Sequence, residues 1–378
     1  MMGSAYIVEA VRTPVGKRRG GLADVHPVDL GAHVLQALIQ RTGIDPAAMD
    51  DVVMGCLDNV GPQAGCIARP SWLAAGLPQS TPGVTIDRQC GSSRQAVHFA
   101  AQAVMSGTSD LVVAADVQNM SMIPMNSSSA AGEVLGLGDD PLARSEGWRR
   151  HFGDQPVSQF YGAEQIALKW NIGREEMEDF ALQSHARAVH AIDNGYFEEE
   201  IAPYAEVAVD EGPRRGSTRE ALAALRPLSE GGRLTAALAS QISDGASGLL
   251  IAGDQALGTH GLTPLARIHH MSVVGSDPIL MLTAPIPATQ RVLDRTGLSI
   301  DGFGVIEVNE AFASFRANPD VLNPNGGAIA LGQPVGASGG RIMTSMLFEM
   351  RRRNARWGLQ TMCEGGGQAN TTVLELIS

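Results

Sequence analysis

A helical pattern, an Arg-Thr-Gly stop and a strand follow one another twice in this chain. Residues 38–43, ending Arg41-Thr42-Gly43, lead to the apolar run 51–54, and residues 292–297, ending Arg295-Thr296-Gly297, lead to 304–308. Glycine just after a helical run adopts the left-handed backbone that closes a helix, so both stops read as C-caps. A second pair follows in the same order. Cys90-Gly91-Ser92-Ser93 opens a pattern with apolar residues at Ala96, Val97, Phe99, Ala100, Ala103 and Val104, which leads to a strand over 110–115. Gly336-Ala337-Ser338-Gly339 opens a helix over 342–350 that leads to a strand over 358–362. Two matched pairs in one order define a duplicated α/β unit.

The remaining pattern fits that frame. Residues 5–11 read as a strand, 27–40 as an amphipathic helix, and 64–75 as a helix interrupted by Pro70. Alternation of this kind predicts an α/β fold with a largely parallel sheet. Residues 120–239 differ, being richer in Ser, Gly, Pro and charge, with a polar helix over 174–194 that is acidic at its start and closed by Gly195. This stretch reads as an inserted domain. The expected division is an N-terminal half over 1–119, completed by about 243–263, an inserted loop domain over 120–242, and a C-terminal half over 264–378.

Composition limits the function classes. The net charge of −12 argues against a nucleic-acid partner. Lys17-Arg18-Arg19 is a local basic cluster, either a solvated loop or a phosphate contact. Apolar runs such as 248–253 are too short to span a bilayer, which argues against a membrane protein. The four cysteines, Cys56, Cys66, Cys90 and Cys363, form no CxxC, and no Cys/His spacing matches a zinc site, so no metal is expected. Without a signal-peptide pattern at the start, free thiols in a reducing cytoplasm are the expectation.

Cys90 is the first candidate for chemistry. It stands at or just before a helix start, where unpaired backbone N–H groups and the helix dipole favour a thiolate; the alternative is a small buried hydrophobe. Cys363 begins Cys363-Glu364-Gly365-Gly366-Gly367 after a strand, where glycines let a ligand approach backbone N–H groups. A thiol there can exchange a proton with a carbon acid while the N–H groups hold an oxyanion; the alternative is a glycine-rich turn with an incidental cysteine. Asn309 follows the strand 305–308, at the strand end where α/β sheets place ligands, or it serves as a helix cap. Residues 325–340 hold six glycines in sixteen positions. Within them, Gly336-Ala337-Ser338-Gly339-Gly340 matches the serine-hydrolase elbow in form. That reading needs a later histidine, and the last one is His270.

Taken in order, Cys90-Gly91-Ser92-Ser93, Asn309-Glu310-Ala311-Phe312, Gly327 to Gly339 and Cys363-Glu364-Gly365-Gly366-Gly367 resemble the thiolase family of acetyl-CoA acyltransferases. Segments at Asp210–Arg214, Ser240–Ala246 and Met281–Ala288 resemble it too. Gln118-Asn119-Met120-Ser121 and the Cys-Glu-Gly-Gly-Gly run resemble an actinobacterial degradative branch linked to steroid-ring catabolism. The resemblance implies two similar halves stacked in five layers, αβαβα, with an inserted loop domain, and a homodimer or homotetramer. It implies coenzyme A and acyl-CoA as substrates, with no permanently bound cofactor, and an acyl-Cys90 intermediate in thiolytic cleavage of a 3-ketoacyl-CoA or its reverse. Cys363 would protonate the leaving carbanion. Backbone N–H groups of Cys90 and Gly365 would hold one oxyanion, and Asn309, through a water, the other. Arg214 and Ser240 would contact coenzyme A, and Met281 and Phe312 would line the pantetheine tunnel.

The chain departs from the family at two places. Where the family has Gly-His-Pro, this sequence has Gly332-Gln333-Pro334. Glutamine donates a hydrogen bond but does not titrate near neutral pH, so it keeps half of that histidine's role. His98 lies two helical turns beyond Cys90 and is no obvious substitute. The segment 313–323 is also shorter than the family's. Two readings follow: a thiolase activated by the helix terminus alone, or an acyl-CoA-binding protein with impaired turnover. A condensing enzyme of the ketoacyl-synthase type is a third, and Cys363 argues against it.

Overall fold

The computed structural model describes residues 3–313 and 320–377. Its strands are β1 (Ala5–Arg12), β2 (Gly16–Lys17), β3 (Asp51–Gly55), β4 (Gly83–Ile86), β5 (Leu111–Asn119), β6 (Ser243–Gly253), β7 (Ala266–Gly275), β8 (Val305–Val308), β9 (Trp357–Glu364) and β10 (Gln368–Leu376). The helices are α1 (Pro27–Thr42), α2 (Ala68–Ala74), α3 (Ser92–Ser106), α4 (Ser127–Val134), α5 (Glu146–Phe152), α6 (Gln159–Lys169), α7 (Arg174–Asp193), α8 (Arg219–Ala223), α9 (Asp254–His260), α10 (Pro285–Thr296), α11 (Ala328–Leu331) and α12 (Ser338–Arg353).

The strands run in the order β4-β3-β5-β6-β1-β7-β10-β9-β8, with β2 beside β6. The duplication is visible in this order. β3-β5-β6-β1 in the first half corresponds to β8-β9-β10-β7 in the second, and each corresponding pair runs in the same relative sense. Both repeat helices end on the expected cap: the Gly43 N–H (φ 64°) bonds Ile39 O, and the Gly297 N–H (φ 70°) bonds Leu293 O. The halves join where β1 meets β7 through only two residue pairs, Tyr6 with Arg267 and Ile7 with Ala266.

The sheet is not largely parallel. Among the described strands, only β3–β4, β3–β5 and β8–β9 pair in parallel; the other strand pairs are antiparallel. The physical reason lies in the connections. β10 follows β9 through a tight turn over residues 365–367, which cannot carry the crossover that a parallel pair needs. β6 returns from the long 120–242 segment and enters between β5 and β1 in the opposite sense.

Three helix layers sandwich the two halves of the sheet. α1 and α2 bury Leu30, Leu35 and Trp72 on one side of the first half, with Val113 and Leu250. α3 and α12 form the middle layer, where Val97, Ala100, Met343 and Leu347 meet Ile251, Val305 and Leu374 from both halves. α10 covers the far side through Val292, packed with Leu359 and Val373. α2 is shorter than expected, and Pro70 is its third residue, in the first turn where its missing N–H is not needed. Phe99, counted among the apolar helix positions, is 44% exposed. Part of the shortened stretch 313–323 lies outside the described residues. Among the described residues, no helix is long and apolar enough to cross a membrane.

A buried ion cluster fixes the 120–242 segment to this frame. Arg12, fully enclosed at the end of β1, donates from Nε to Glu200 Oε1 at 2.6 Å and from both terminal nitrogens to Asp210 at 2.7 and 2.9 Å. Asp210 also accepts from Val15 N, and Glu200 from Ser345 Oγ of α12. Removing one member leaves buried charges without a partner. We expect Arg12→Met to lower unfolding free energy by about 3–5 kcal/mol, read by urea denaturation.

Candidate active site

Cys90 lies in a turn just outside α3. Its predecessor Gln89 has a left-handed backbone (φ 52°), a conformation a non-glycine residue adopts at a cost. Side chains hold that turn closed. Asp87 Oδ1 accepts from Gln89 N at 2.8 Å, Ser92 Oγ accepts from Arg88 N at 2.8 Å, and the same hydroxyl donates to Gln89 O at 2.6 Å. The thiol therefore projects ahead of the helix axis. Cys90 is half-buried. Burial, then the Glu364 carboxylate, pushes that thiol up to about 12, while its own backbone N–H and the Gln333 side chain pull it down. The expected lowering at a helix start is real but outweighed by dehydration.

Gln333 reaches Cys90 from a loop built out of glycine. Gly332 has φ 97°, and a Cβ there would fall 2.2 Å from Ser243 Oγ. The loop hangs on Gln241, whose O accepts from Gln333 N at 3.0 Å and whose Nε2 donates to Gly212, Ile329 and Ala330 O. Val335 of this loop packs with Cys90, the Gln333 side chain acts to lower the Cys90 thiol, and the buried Gln333 Oε1 has no hydrogen-bond partner among the described residues.

Cys363 lies within β9 rather than at its end, and is buried. Burial pushes its thiol up, and Cys90 is the foremost charged neighbour adding to that. The turn Gly365-Gly366-Gly367 closes beside it, with Gly365 so near Gln89 that a Cβ would meet its side chain at 2.8 Å. Asn309 follows β8. Its backbone N–H bonds Thr361 O at 3.2 Å, while both side-chain polar atoms are buried without a hydrogen-bond partner among the described residues. Asn309, Phe312 and Cys363 share the wall of a cavity of about 890 Å³, whose apolar lining includes Trp170, Leu293 and Phe303.

The remaining predicted residues fall into two groups. Ser240 is tied to this region, its N–H bonding Ala311 O at 2.9 Å next to Phe312, whose ring meets Phe160 edge-on. Met281 is buried with φ 53°, one residue before the cavity-lining Leu282. Arg214 stands apart on an exposed stretch, its N–H bonding His185 Nδ1 at 3.1 Å. His98 is buried and bonded to Thr372 Oγ1 at 2.8 Å, and burial pulls it down to about 3, so it stays neutral. Ser338 Oγ donates to Pro334 O at 2.9 Å, which fits a helix start and not a hydrolase nucleophile. Among the described residues, no group of three or more His, Cys, Asp or Glu side chains could hold a metal ion.

Two supporting residues escaped the sequence reading although each sat in a quoted motif. Glu310 accepts from Ser184 Oγ, Asn323 Nδ2 and Ile329 N, holding the Asn309 strand end against the Gln333 loop. Gln118 accepts from Leu57 N and Gly336 N and donates to Leu57 O, clamping the two halves.

Residues 5–255 match the thiolase N-terminal domain and residues 262–376 the thiolase C-terminal domain. The chain belongs to the thiolase family, and it is an acyl-CoA acyltransferase of the 3-ketoacyl-CoA thiolase type. It is 56% identical over 387 residues to the steroid 3-ketoacyl-CoA thiolase FadA6 of Mycobacterium tuberculosis, covering 99% of this chain and 95% of that protein. It is 40% identical over 404 residues to the 3-oxoadipyl-CoA/3-oxo-5,6-dehydrosuberyl-CoA thiolase of Escherichia coli, covering all of both. Among solved structures, human mitochondrial 3-ketoacyl-CoA thiolase in complex with CoA superimposes with a TM-score of 0.88 at 33% identity, over 100% of this chain and 98% of the other. The acetyl-CoA acetyltransferase of Bacillus anthracis gives 0.89, also at 33% identity, over 100% and 99%. A match over both halves sets aside the ketoacyl-synthase reading, and these relatives give no support to a binding protein with impaired turnover.

Because the Gln333 side chain favours the thiolate, Gln333→Leu should slow alkylation of Cys90 by iodoacetamide about tenfold at pH 8. Mass spectrometry of the Cys90 peptide over time checks this.

Proposed function

We propose that Cys90 is the acyl-accepting nucleophile of a degradative 3-ketoacyl-CoA thiolysis and that Cys363 is its acid and base. The observation that carries this is the convergence on the Cys90 turn: the strand end that holds Cys363 packs on it so closely that a Cβ on Gly91 would fall 2.1 Å from Glu364 Oε1 and one on Gly365 2.8 Å from the Gln89 side chain, and Val335 of the Gln333 loop packs with Cys90. Cys90 first loses its proton to solvent, since Gln333 cannot accept it. The thiolate attacks the 3-keto carbon and the C2–C3 bond breaks. The electron pair stays on C2 as an acetyl-CoA enolate, which takes the Cys363 proton. The Cys363 thiolate then deprotonates coenzyme A. Coenzyme A thiolate attacks acyl-Cys90, releasing the shortened acyl-CoA and restoring the Cys90 thiolate. Splitting the cleavage through a covalent intermediate replaces one high barrier with two lower ones.

Backbone N–H groups of Cys90 and Gly365 hold one oxyanion in this scheme, and Asn309, through a water, the other. The Asn309 amide, buried without a partner among the described residues, supports that role, because a buried amide left unbonded is costly unless a ligand or water completes it. Ser240, Met281, Phe312 and Arg214 are proposed contacts for coenzyme A and its pantetheine arm. Phe312, in the cavity wall, is the best placed of them, and Arg214 is the least supported because it stands apart.

The acyl group we assign is large and ring-bearing. A cavity of about 890 Å³ beside Asn309 and Cys363 far exceeds an acetyl group, and FadA6 is named for steroid substrates. Ile166 and Trp170 bring the 120–242 segment into that wall, in keeping with an inserted domain that shapes acyl choice. The same proposal includes a homodimer or homotetramer in the cytoplasm, with no permanently bound cofactor.

Incubation with acetoacetyl-CoA should add an acetyl mass to Cys90 and none to Cys90→Ser. Absence of acylation at every pH up to about 9, above the ordinary thiol range, would overturn the proposal. Gln333→His should raise turnover by supplying a titratable acceptor, roughly 10²-fold if it acts as a full general base, measured by loss of acetoacetyl-CoA absorbance. Leu293→Trp should cut kcat/KM for a ring-bearing 3-ketoacyl-CoA by at least tenfold while changing acetoacetyl-CoA cleavage less than threefold, of the order expected from steric loss in an apolar pocket.

A further inference from the structure

Glu364 is the last residue of β9 and follows Cys363 directly. It is 1% exposed, and neither carboxyl oxygen has a hydrogen-bond partner of good geometry, the Asn370 N–H of β10 giving only weak support. A buried carboxyl is ordinarily bonded on both oxygens. This one is pressed against the nucleophile turn instead: a Cβ on Gly91 would fall 2.1 Å from Glu364 Oε1. A side chain at 91 would have to displace the carboxyl beside it. Asn370 Nδ2 holds the other side of Gly91 by donating to its O at 3.2 Å.

The charged groups around Glu364 are few and identifiable. Arg94 approaches from α3, fully buried, with Nη1 committed to Gln360 O and Asn370 O while Nε and Nη2 have no partner. Arg88 approaches from the turn, tethered to Gln368 Oε1 at 2.9 Å. Asp87 in the same turn acts on Cys90, and Cys363 adjoins Glu364 in β9.

We propose that Glu364 is a positioning residue for the nucleophile: its carboxyl, lodged against Gly91, sets how readily Cys90 ionises. This rests on Cys90 being the nucleophile. Burial raises the Glu364 carboxyl to about 7, against the pull of Arg88 and Arg94, so it changes charge in the working range. After burial itself, Glu364 is the foremost group raising the Cys90 thiol. The sign follows. Below about pH 7 the carboxyl is neutral and adds nothing against a thiolate; above it, the carboxylate opposes one. In a chain whose loop offers Gln333 as donor but no base, a neutral Glu364 lowers the electrostatic cost of the thiolate.

The test is the rate of iodoacetamide alkylation at Cys90, followed by mass spectrometry from pH 5.5 to 9.5. The native chain should show a rise that flattens near pH 7 and then resumes. Glu364→Gln keeps the shape and removes the charge; its profile should rise tenfold per pH unit throughout, equal to native at pH 6 and about tenfold faster at pH 8.5. Arg88→Met should carry the flattened region to higher pH, and it reports independently if Glu364→Gln fails to fold. A Glu364→Gln profile that superimposes on native, or lies below it at every pH, overturns the proposal. Acetylation by acetoacetyl-CoA is measured on the same samples. Loss of acetylation with the flattened region intact would sink the thiolase mechanism alone, and acetylation with superimposed profiles would sink the Glu364 role alone.

Discussion

The site depends on how closely two duplicated helices meet. α3 and α12 begin face to face between the halves of the sheet, and their contact is made of backbone. A Cβ on Gly339 would fall 2.8 Å from Arg94 N, and Gly340 N donates to Ser93 Oγ at 3.0 Å. Only glycine allows that approach. Because Cys90 precedes α3 and the Gln333 loop precedes α12, this one contact sets how near the Cys90 thiol and the Gln333 amide can come. The glycines of the 325–340 stretch are therefore divided between jobs: Gly332 turns the loop, and Gly339 and Gly340 let the helices touch.

Dehydration is the second theme. Arg94 of α3, Arg341 of α12, Asp116 of β5, Glu307 of β8 and Glu310 just after it are all buried. In such surroundings a charge is expensive and a neutral form is favoured. Both thiols rest protonated, and Asp116 and Glu307 are pushed far up by burial. A site like this gains its reactivity from groups aimed at charge that develops in the reaction, which act strongly where water is excluded.

Much of this was legible in the sequence, and the limits have physical causes. The repeat fixed the relation of α1 with α10 and of α3 with α12 because caps and helix openings are local signals. Cys90, Cys363, Asn309 and Gln333 stood out through glycine-rich turns at strand ends. Strand direction was misread because β6 and β10 take theirs from chain that returns over long or very short connections, which periodicity does not report. The ionisation of Cys90 was misread because Glu364 lies 274 residues along the chain in sequence terms, and burial of a thiol is a tertiary fact. Gln118 and Glu310 were quoted within motifs, but their work is to bridge distant segments, and residue type alone does not announce that.

The seating of β1 bears on how the chain is made. Its partners are β6 and β7, and its terminal Arg12 is neutralised by Glu200 and Asp210. β1 thus has no strand to pair with until residue 243 has been translated, and Arg12 has no counter-ion until residue 200. Synthesis at about 5–20 residues per second leaves this apolar strand waiting for ten seconds or more. The seating of β1 is therefore governed by the arrival of β6 and β7 and not by the sequence that adjoins it.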